Sequence, residues 1–333
     1  MSRPEPTVSS EAISPKRPPR LSAVLALRDY GIYFALIALI AYFSIRVPEF
    51  RTWDNALLIL LQVSVIGIIA IGMTFTIITA GIDLSVGSLL AVAGIMSGLF
   101  AQREPTAFNV ILAFGVPIAV GVFGGVCNGL IIAGAGVNPL IVTLGTLTAF
   151  RGFVVWYRVN PIYDLQTYYQ VIGQGTVLGI PVPVLFLVAM AVTAWILLSY
   201  TRFGRYVYAV GGNREAARAA GINVALITFS VYVISGFCVG MAALIFTSRL
   251  MAAQAISGQG FELQAIAAAV VGGASLFGGR GGISNTIVGA LIMGVLFNGF
   301  VMLDVPQPIQ QMSVGVIIIV AVWLDGYLRK RRS

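Results

Sequence analysis

Nine stretches of this 333-residue chain contain no charged residue at all, at 30–45, 56–82, 84–102, 106–150, 181–200, 222–248, 263–279, 281–303 and 305–324. The stretch 106–150 is long enough for two crossings and is broken at Gly134-Ala135-Gly136-Val137-Asn138-Pro139. At about 20 residues per bilayer crossing, the sequence predicts ten spanning helices. Composition agrees: 58% of residues are hydrophobic and 10% are charged, where a soluble domain carries about 25% charged residues. The expected fold is all-α and integral to a membrane. The first stretch is short and could be read as a signal peptide, but no small-residue cleavage site follows it and a Pro-rich segment precedes it.

The segment 1–28 is rich in Pro, Ser and Arg and is expected to be a disordered tail. Residues 29–328 then form one transmembrane domain, and 329–333 form a short basic tail. Lys and Arg near the ends of spans stay on the cytoplasmic side. Here they cluster before span one (Lys16, Arg17, Arg20, Arg28), after span six (Arg202, Arg205, Arg214, Arg218) and after span ten (Arg329, Lys330, Arg331, Arg332). Six and ten are both even, so all three clusters fall on one side and both termini are expected in the cytoplasm. The basic balance therefore reports topology and contact with lipid headgroups rather than nucleic-acid binding.

Several chemistries lack their parts. Histidine is absent, which removes the commonest general base and metal ligand; no metal site is expected. No G-x-x-x-x-G-K-[ST] pattern occurs, so ATP is not held by a P-loop in this chain. Cys127 and Cys238 lie in apolar stretches and read as small packing residues.

Between the sixth and seventh spans, in the polar segment 201–221, Gly211-Gly212-Asn213-Arg214-Glu215-Ala216-Ala217-Arg218-Ala219-Ala220-Gly221 reads as a short helix outside the membrane. Asn213 can serve as N-cap, Arg214 to Ala220 are good helix formers, and Gly221 can supply the left-handed closing residue. So short a helix is marginal in water. Two readings stand: a docking handle gripped by a partner, or a capped surface helix without one.

The second half of the chain echoes the first in order. Gly72-Met73 is answered by Gly240-Met241, Gly81-Ile82-Asp83-Leu84 by Gly260-Phe261-Glu262-Leu263, Gly124 and Asn128-Gly129 by Gly294 and Asn298-Gly299, and Pro139 and Gly145 by Pro308 and Gly315. The offsets are about 170 to 180 residues. Units of roughly 55–158 and 222–327, separated by an odd number of crossings, would be inverted relative to each other, an arrangement suited to alternating access.

A mid-helix carboxylate costs about 2.5–3.5 kcal/mol on insertion scales, so Asp83 is expected at a helix break. There it would cap a new helix ahead of Ser85, Gly87 and Ser88, with Glu262 in the matching place. A cation or proton relay is the weaker alternative. Asn128 and Asn298, each next to glycine, can fasten helices together or meet a polar solute. Thr74, Thr76 and Thr79 can line a hydroxyl-compatible path or bond to their own helix.

Gly72-Met73-Thr74 running into Gly81-Ile82-Asp83-Leu84-Ser85-Val86-Gly87-Ser88, with Tyr208 to Asn213, Glu262 to Ala267, and Gly272-Gly273 through Gly278-Gly279, resembles the permease subunits of monosaccharide ABC importers, the ribose, xylose and arabinose group. Glu215-Ala216-Ala217 followed by Gly221 is similar to the coupling loop by which such permeases contact their ATPases. The resemblance implies that Gly211, Gly212, Asn213, Glu215, Ala216, Ala217 and Gly221 form that loop, and that Thr74, Asp83, Ser85, Asn128, Glu262 and Asn298 belong to the pathway or its helix breaks. It also implies a ten-helix fold like that of the vitamin B12 importer (type II ABC importer), a bacterial inner-membrane location, a second permease copy or paralogue, and a periplasmic sugar-binding protein. ATP and Mg would be bound by a separate ATPase subunit, with no cofactor in this chain. The rival readings are a branched-chain amino-acid permease and an ion-coupled secondary transporter, which would need more buried charges. An intramembrane enzyme would need paired catalytic groups that the sequence does not offer.

Overall fold

Each expected span contains one helix, and the breaks between them are built from local capping chemistry. The computed structural model describes residues 19–330. The long helices are α1 (Pro19–Arg46), α2 (Trp53–Ile78), α3 (Val86–Ala101), α4 (Ala107–Gly134), α5 (Pro139–Tyr157), α7 (Val182–Tyr200), α10 (Val224–Leu250), α11 (Phe261–Val271), α12 (Ile283–Met302) and α13 (Gln307–Lys330). Thr52, Thr106, Asn138 and Asn223 cap α2, α4, α5 and α10 by accepting from backbone N–H groups two or three residues on. Pro139 fits the first position of α5, where no amide donor is missed.

Seven of these helices are long and apolar enough to cross a membrane, and three are shorter: the apolar part of α1 (Gly31–Arg46), α3 and α11. The 11 residues of α11 rise only about 16 Å. The stretch expected as a span over 263–279 is therefore helical only to Val271, and a turn with left-handed Gly273, Gly278 and Gly279 follows. The first helix also starts earlier than expected, at Pro19 inside the segment read as a tail. Residues 1–18 and 331–333 of the expected tails lie outside the described residues.

Smaller elements fill two connections. Between α5 and α7 lie α6 (Gln170–Gln174) and a two-residue hairpin, β1 (Thr176–Val177) paired antiparallel with β2 (Ile180–Pro181). Between α7 and α10 lie α8 (Arg202–Gly212) and α9 (Arg214–Ala219).

The core is built on α2 and α10, whose most apolar windows are 61% and 67% buried against 17% for α5 and 6% for α13. The outer helices show large apolar side chains such as Ile141, Trp156, Met312 and Ile319, as helices facing lipid do. Helix contacts come in pairs that exchange when α2–α5 is swapped for α10–α13. Thus α10 packs on α4 as α2 packs on α12, α3 on α4 as α11 on α12, α3 on α10 as α11 on α2, and α3 on α5 as α11 on α13. α2 ends at the same end of the bundle where α10 begins, beside α8 and α9.

The two seams of the first pair differ. Along α4–α10 the backbones touch: a Cβ on Gly121 would meet Gly240 N at 2.6 Å, and one on Gly125 would meet the Cα atoms of Gly236 and Val233 at 3.1 Å. Only small residues permit such an approach. Along α2–α12 the space at Gly294 is taken by the Val63 side chain, while Gly299 of α12 faces α1, whose Phe43 ring fills its space.

Candidate coupling helix and helix-break cluster

α9 forms as its sequence dictates. Asn213 Oδ1 accepts from Glu215 N and Ala216 N, both at 3.0 Å, satisfying two of the donors a helix start leaves free. At the other end Gly221 takes φ +81°, a conformation open to glycine. Ala217 is buried, while Glu215, Ala216, Arg218, Ala219 and Ala220 are exposed. Glu215 and Arg218 pair at 3.0 Å on that exposed face.

The helix is fixed to the body by what precedes it. Gly211 and Gly212 belong to the end of α8, where a side chain on Gly211 would strike the Ile78 carbonyl. Gly279 N donates to that same carbonyl at 2.8 Å. Tyr208 donates from its hydroxyl to the Gly281 carbonyl at 2.7 Å, and half-burial there pushes its phenol pKa up. Arg214 donates to the Thr79 carbonyl at 3.3 Å. The end of α2, the 278–281 turn and the α8–α9 pair thus form one joint. Within it Ala80 holds φ +59°, a left-handed state costing a non-glycine residue about 1–2 kcal/mol.

Three residues beyond that strained alanine sits Asp83, fully buried. Its Oδ1 accepts from Ser85 N (3.1 Å) and Ser85 Oγ (2.6 Å), and its Oδ2 from Ser235 Oγ of α10 (2.8 Å). Asn128 of α4 donates to Ser85 Oγ at 2.9 Å and to Asp83 Oδ1 at 3.5 Å, while its own carbonyl accepts from Thr146 of α5 at 2.8 Å. The Ile82 carbonyl takes Thr143 (3.2 Å) and Tyr232 (3.3 Å). One break therefore ties together α3, α4, α5 and α10. The expected cap is corrected in position: Ser85, not Asp83, occupies the N-cap of α3 and makes no side-chain cap bond. Asp83 acts one step earlier, through the Ser85 amide and hydroxyl.

Glu262 stands in the first turn of α11, whose N-cap is Gly260. The two breaks meet, because Gly87 at the start of α3 abuts the Gly258 carbonyl and the Glu262 carboxylate. Arg151 of α5 faces Glu262 electrostatically and donates to the carbonyls of Ala255 and Ser257. Among the described residues no group of three His, Cys, Asp or Glu could hold a metal.

The family described as branched-chain amino acid transport system / permease component matches residues 55–322, from α2 into α13. The chain belongs to that family. This permease is 43% identical to the ribose import permease protein RbsC of Haemophilus influenzae over 305 residues, covering 90% of this chain and 94% of that protein. It is 39% identical to the D-allose transport system permease protein AlsC of Escherichia coli, covering 97% and 98%, and 34% identical to the xylose transport system permease protein XylH of Haemophilus influenzae, covering 92% and 98%. The relatives are named as permeases, which are transport subunits and not enzymes. No solved structure matches the chain significantly.

In this permease the residues expected at the pathway separate. Asp83, Ser85 and Asn128 come together in one cluster. Asn298 lies elsewhere, its amide in reciprocal bonds with Asn55 of α2 at 3.1 and 2.8 Å. Thr74 donates to Ala70 and meets Thr286 at 2.7 Å, and Thr76 and Thr79 bond back to their own helix; all three are buried. Ser235, Thr146, Arg151 and Asn55 were not singled out from sequence. A Ser–Asp contact spanning 152 positions leaves no local signal, although an Asn or Arg within an apolar stretch is always a candidate for a partner.

Proposed function

We propose that this permease is the transmembrane subunit of an ATP-driven importer that carries a monosaccharide, pentose or hexose, into the cytoplasm. The observation that carries the reading is α9: a capped helix with an exposed face, held at its root by the end of α2 and the 278–281 turn. A cytoplasmic ATPase gripping that face differently in two nucleotide states biases the body between two states. The sugar names of the relatives support the cargo. A neutral polyol also suits spans with few charges.

In this reading α3 and α11 complete their crossings through the Asp83 and Gly258–Gly260 breaks. That gives ten crossings in two inverted units, as in the vitamin B12 importer, with both termini in the cytoplasm of a bacterium and the chain in its inner membrane. The exchanging helix contacts and the opposite directions of α2 and α10 support the inversion. A second permease copy, a periplasmic binding protein, and the ATPase with ATP and Mg complete the transporter.

Glu215→Lys is expected to leave the permease folded in the membrane, since an exposed pair such as Glu215–Arg218 contributes about 0.2–1 kcal/mol, yet to lower ATP-driven uptake at least tenfold. Uptake and co-purification of the ATPase measure it; full retention of both rejects docking at α9. The family description favours a second cargo, branched-chain amino acids. Uptake of leucine in place of ribose, xylose or allose would establish that one.

A further inference from the structure

We propose that Arg214 is a positioning residue that holds the Thr79–Ala80 peptide in a strained orientation, and that its release carries motion of α9 to the helix break at Asp83. The inference rests on the ATP-driven reading and names the joint through which that drive acts. Among the described residues, the bond from Arg214 to the Thr79 carbonyl (3.3 Å) is the one side-chain hydrogen bond that α9 makes beyond itself; Glu215 and Arg218 pair with each other.

The acceptor gives this bond its leverage. The Thr79 carbonyl and the Ala80 amide belong to one planar unit, so whatever orients the carbonyl sets ψ of Thr79 and φ of Ala80 together. With Thr79 ψ at 15° and Ala80 φ at +59°, the alanine sits in the left-handed region that favours glycine. A half-turn of this single peptide points the carbonyl away from Arg214 and brings Ala80 into the ordinary negative-φ region. It gives up the bond from Ala80 N to the Ile77 carbonyl (2.9 Å) and relieves the strain. Two hydrogen bonds are thus set against a backbone penalty of the same order, the balance that a two-state element needs.

The neighbours both hold the strained orientation and receive its release. A Cβ on Gly278 would lie 2.9 Å from the Ala80 Cβ and 2.6 Å from the Gly211 carbonyl, so the 278–281 turn and the end of α8 crowd the alanine. On the other side only Gly81 and Ile82 separate Ala80 from Asp83, whose shell joins α3, α4, α5 and α10. The matching break of the second unit uses Gly258 and Gly260 at its left-handed positions, where no penalty arises. The alanine stands at the break that α9 touches.

Cells expressing the transporter are assayed for uptake of whichever of ribose, xylose and allose it imports, and the purified complex for bound ATPase and ATP hydrolysis. Ala80→Gly removes the penalty and should raise the unfolding midpoint by roughly 2 °C or more. It should nevertheless lower uptake about fivefold, because the peptide then stays in its present orientation. Arg214→Met should also lower uptake about fivefold, with the ATPase still bound and hydrolysing ATP. Arg214→Lys, which keeps a donor, should retain most uptake. The first two substitutions push the peptide in opposite directions, so Ala80→Gly/Arg214→Met is expected to recover most of the wild-type uptake. A double variant no better than Arg214→Met overturns the hinge, as does unchanged uptake by Ala80→Gly. Loss of the ATPase from the Arg214→Met complex also overturns it, since Arg214 would then belong to the docking face. Wild-type uptake that persists when the ATPase cannot hydrolyse ATP counts instead against the ATP-driven reading.

Discussion

Gly125→Leu is expected to remove most of the folded permease, by about 3 kcal/mol or more, the upper part of the range for overpacked cores. The first added carbon already collides with the Tyr232 carbonyl and sits 3.1 Å from the Cα atoms of Gly236 and Val233. Backbone cannot turn aside as a flexible side chain can, so α4 and α10 must separate along their length. Gly145→Leu is the matched control, since nothing lies within 4 Å of a Cβ there; such a surface change stays within about 0.5 kcal/mol. Folded yield by size exclusion in detergent and the midpoint of thermal unfolding measure both. Equal yields for the two variants would refute backbone contact at this seam.

The second large effect belongs to Asp83. Asp83→Leu strips the acceptor from Ser85 N, Ser85 Oγ and Ser235 Oγ at once. Each buried donor left unpaired costs about 1–3 kcal/mol, so a loss of about 3–9 kcal/mol is expected, comparable to the about 5–15 kcal/mol that keeps a typical domain folded. Asp83→Asn keeps one carbonyl oxygen for Ser85 and lets the Ser235 hydroxyl turn to accept. It should lower folded yield severalfold while leaving the order of preference among solutes unchanged. Radiolabelled uptake normalised to folded protein gives the comparison. A new solute preference at wild-type yield would mean that the carboxylate touches cargo, contrary to its closed shell of protein donors.

Legibility followed range. α9 was readable because its cap, its body and its closing glycine lie within nine residues, Asn213 to Gly221, and each acts on its neighbours. The start of α5 was readable for the same reason, from Asn138-Pro139. The preceding α8 was not read as a helix, since its Arg-bearing start looked like a topological charge cluster, and its end packs on Ile78 far away in sequence. α11 stopped short of its apolar stretch because Gly272-Gly273 begins a turn whose later residues are fastened to α2. The repeat placed Asn128 and Asn298 as equivalents, yet one joins the Asp83 cluster and the other clasps Asn55, because an amide takes whichever partner the neighbouring helix presents.

What the chain alone determined is the set of apolar helices, the breaks between them and the capped lever in the segment between α7 and α10, since burial from water, backbone hydrogen bonding and capping act over a few residues. Only the tertiary structure decided which polar groups would meet. Ser235 reaches Asp83, Arg151 faces Glu262, and Asn298 clasps Asn55. In an apolar medium each such group is free-energetically committed to a partner, but the partner's identity depends on how closely two helices approach, and that distance is set by packing across the whole bundle.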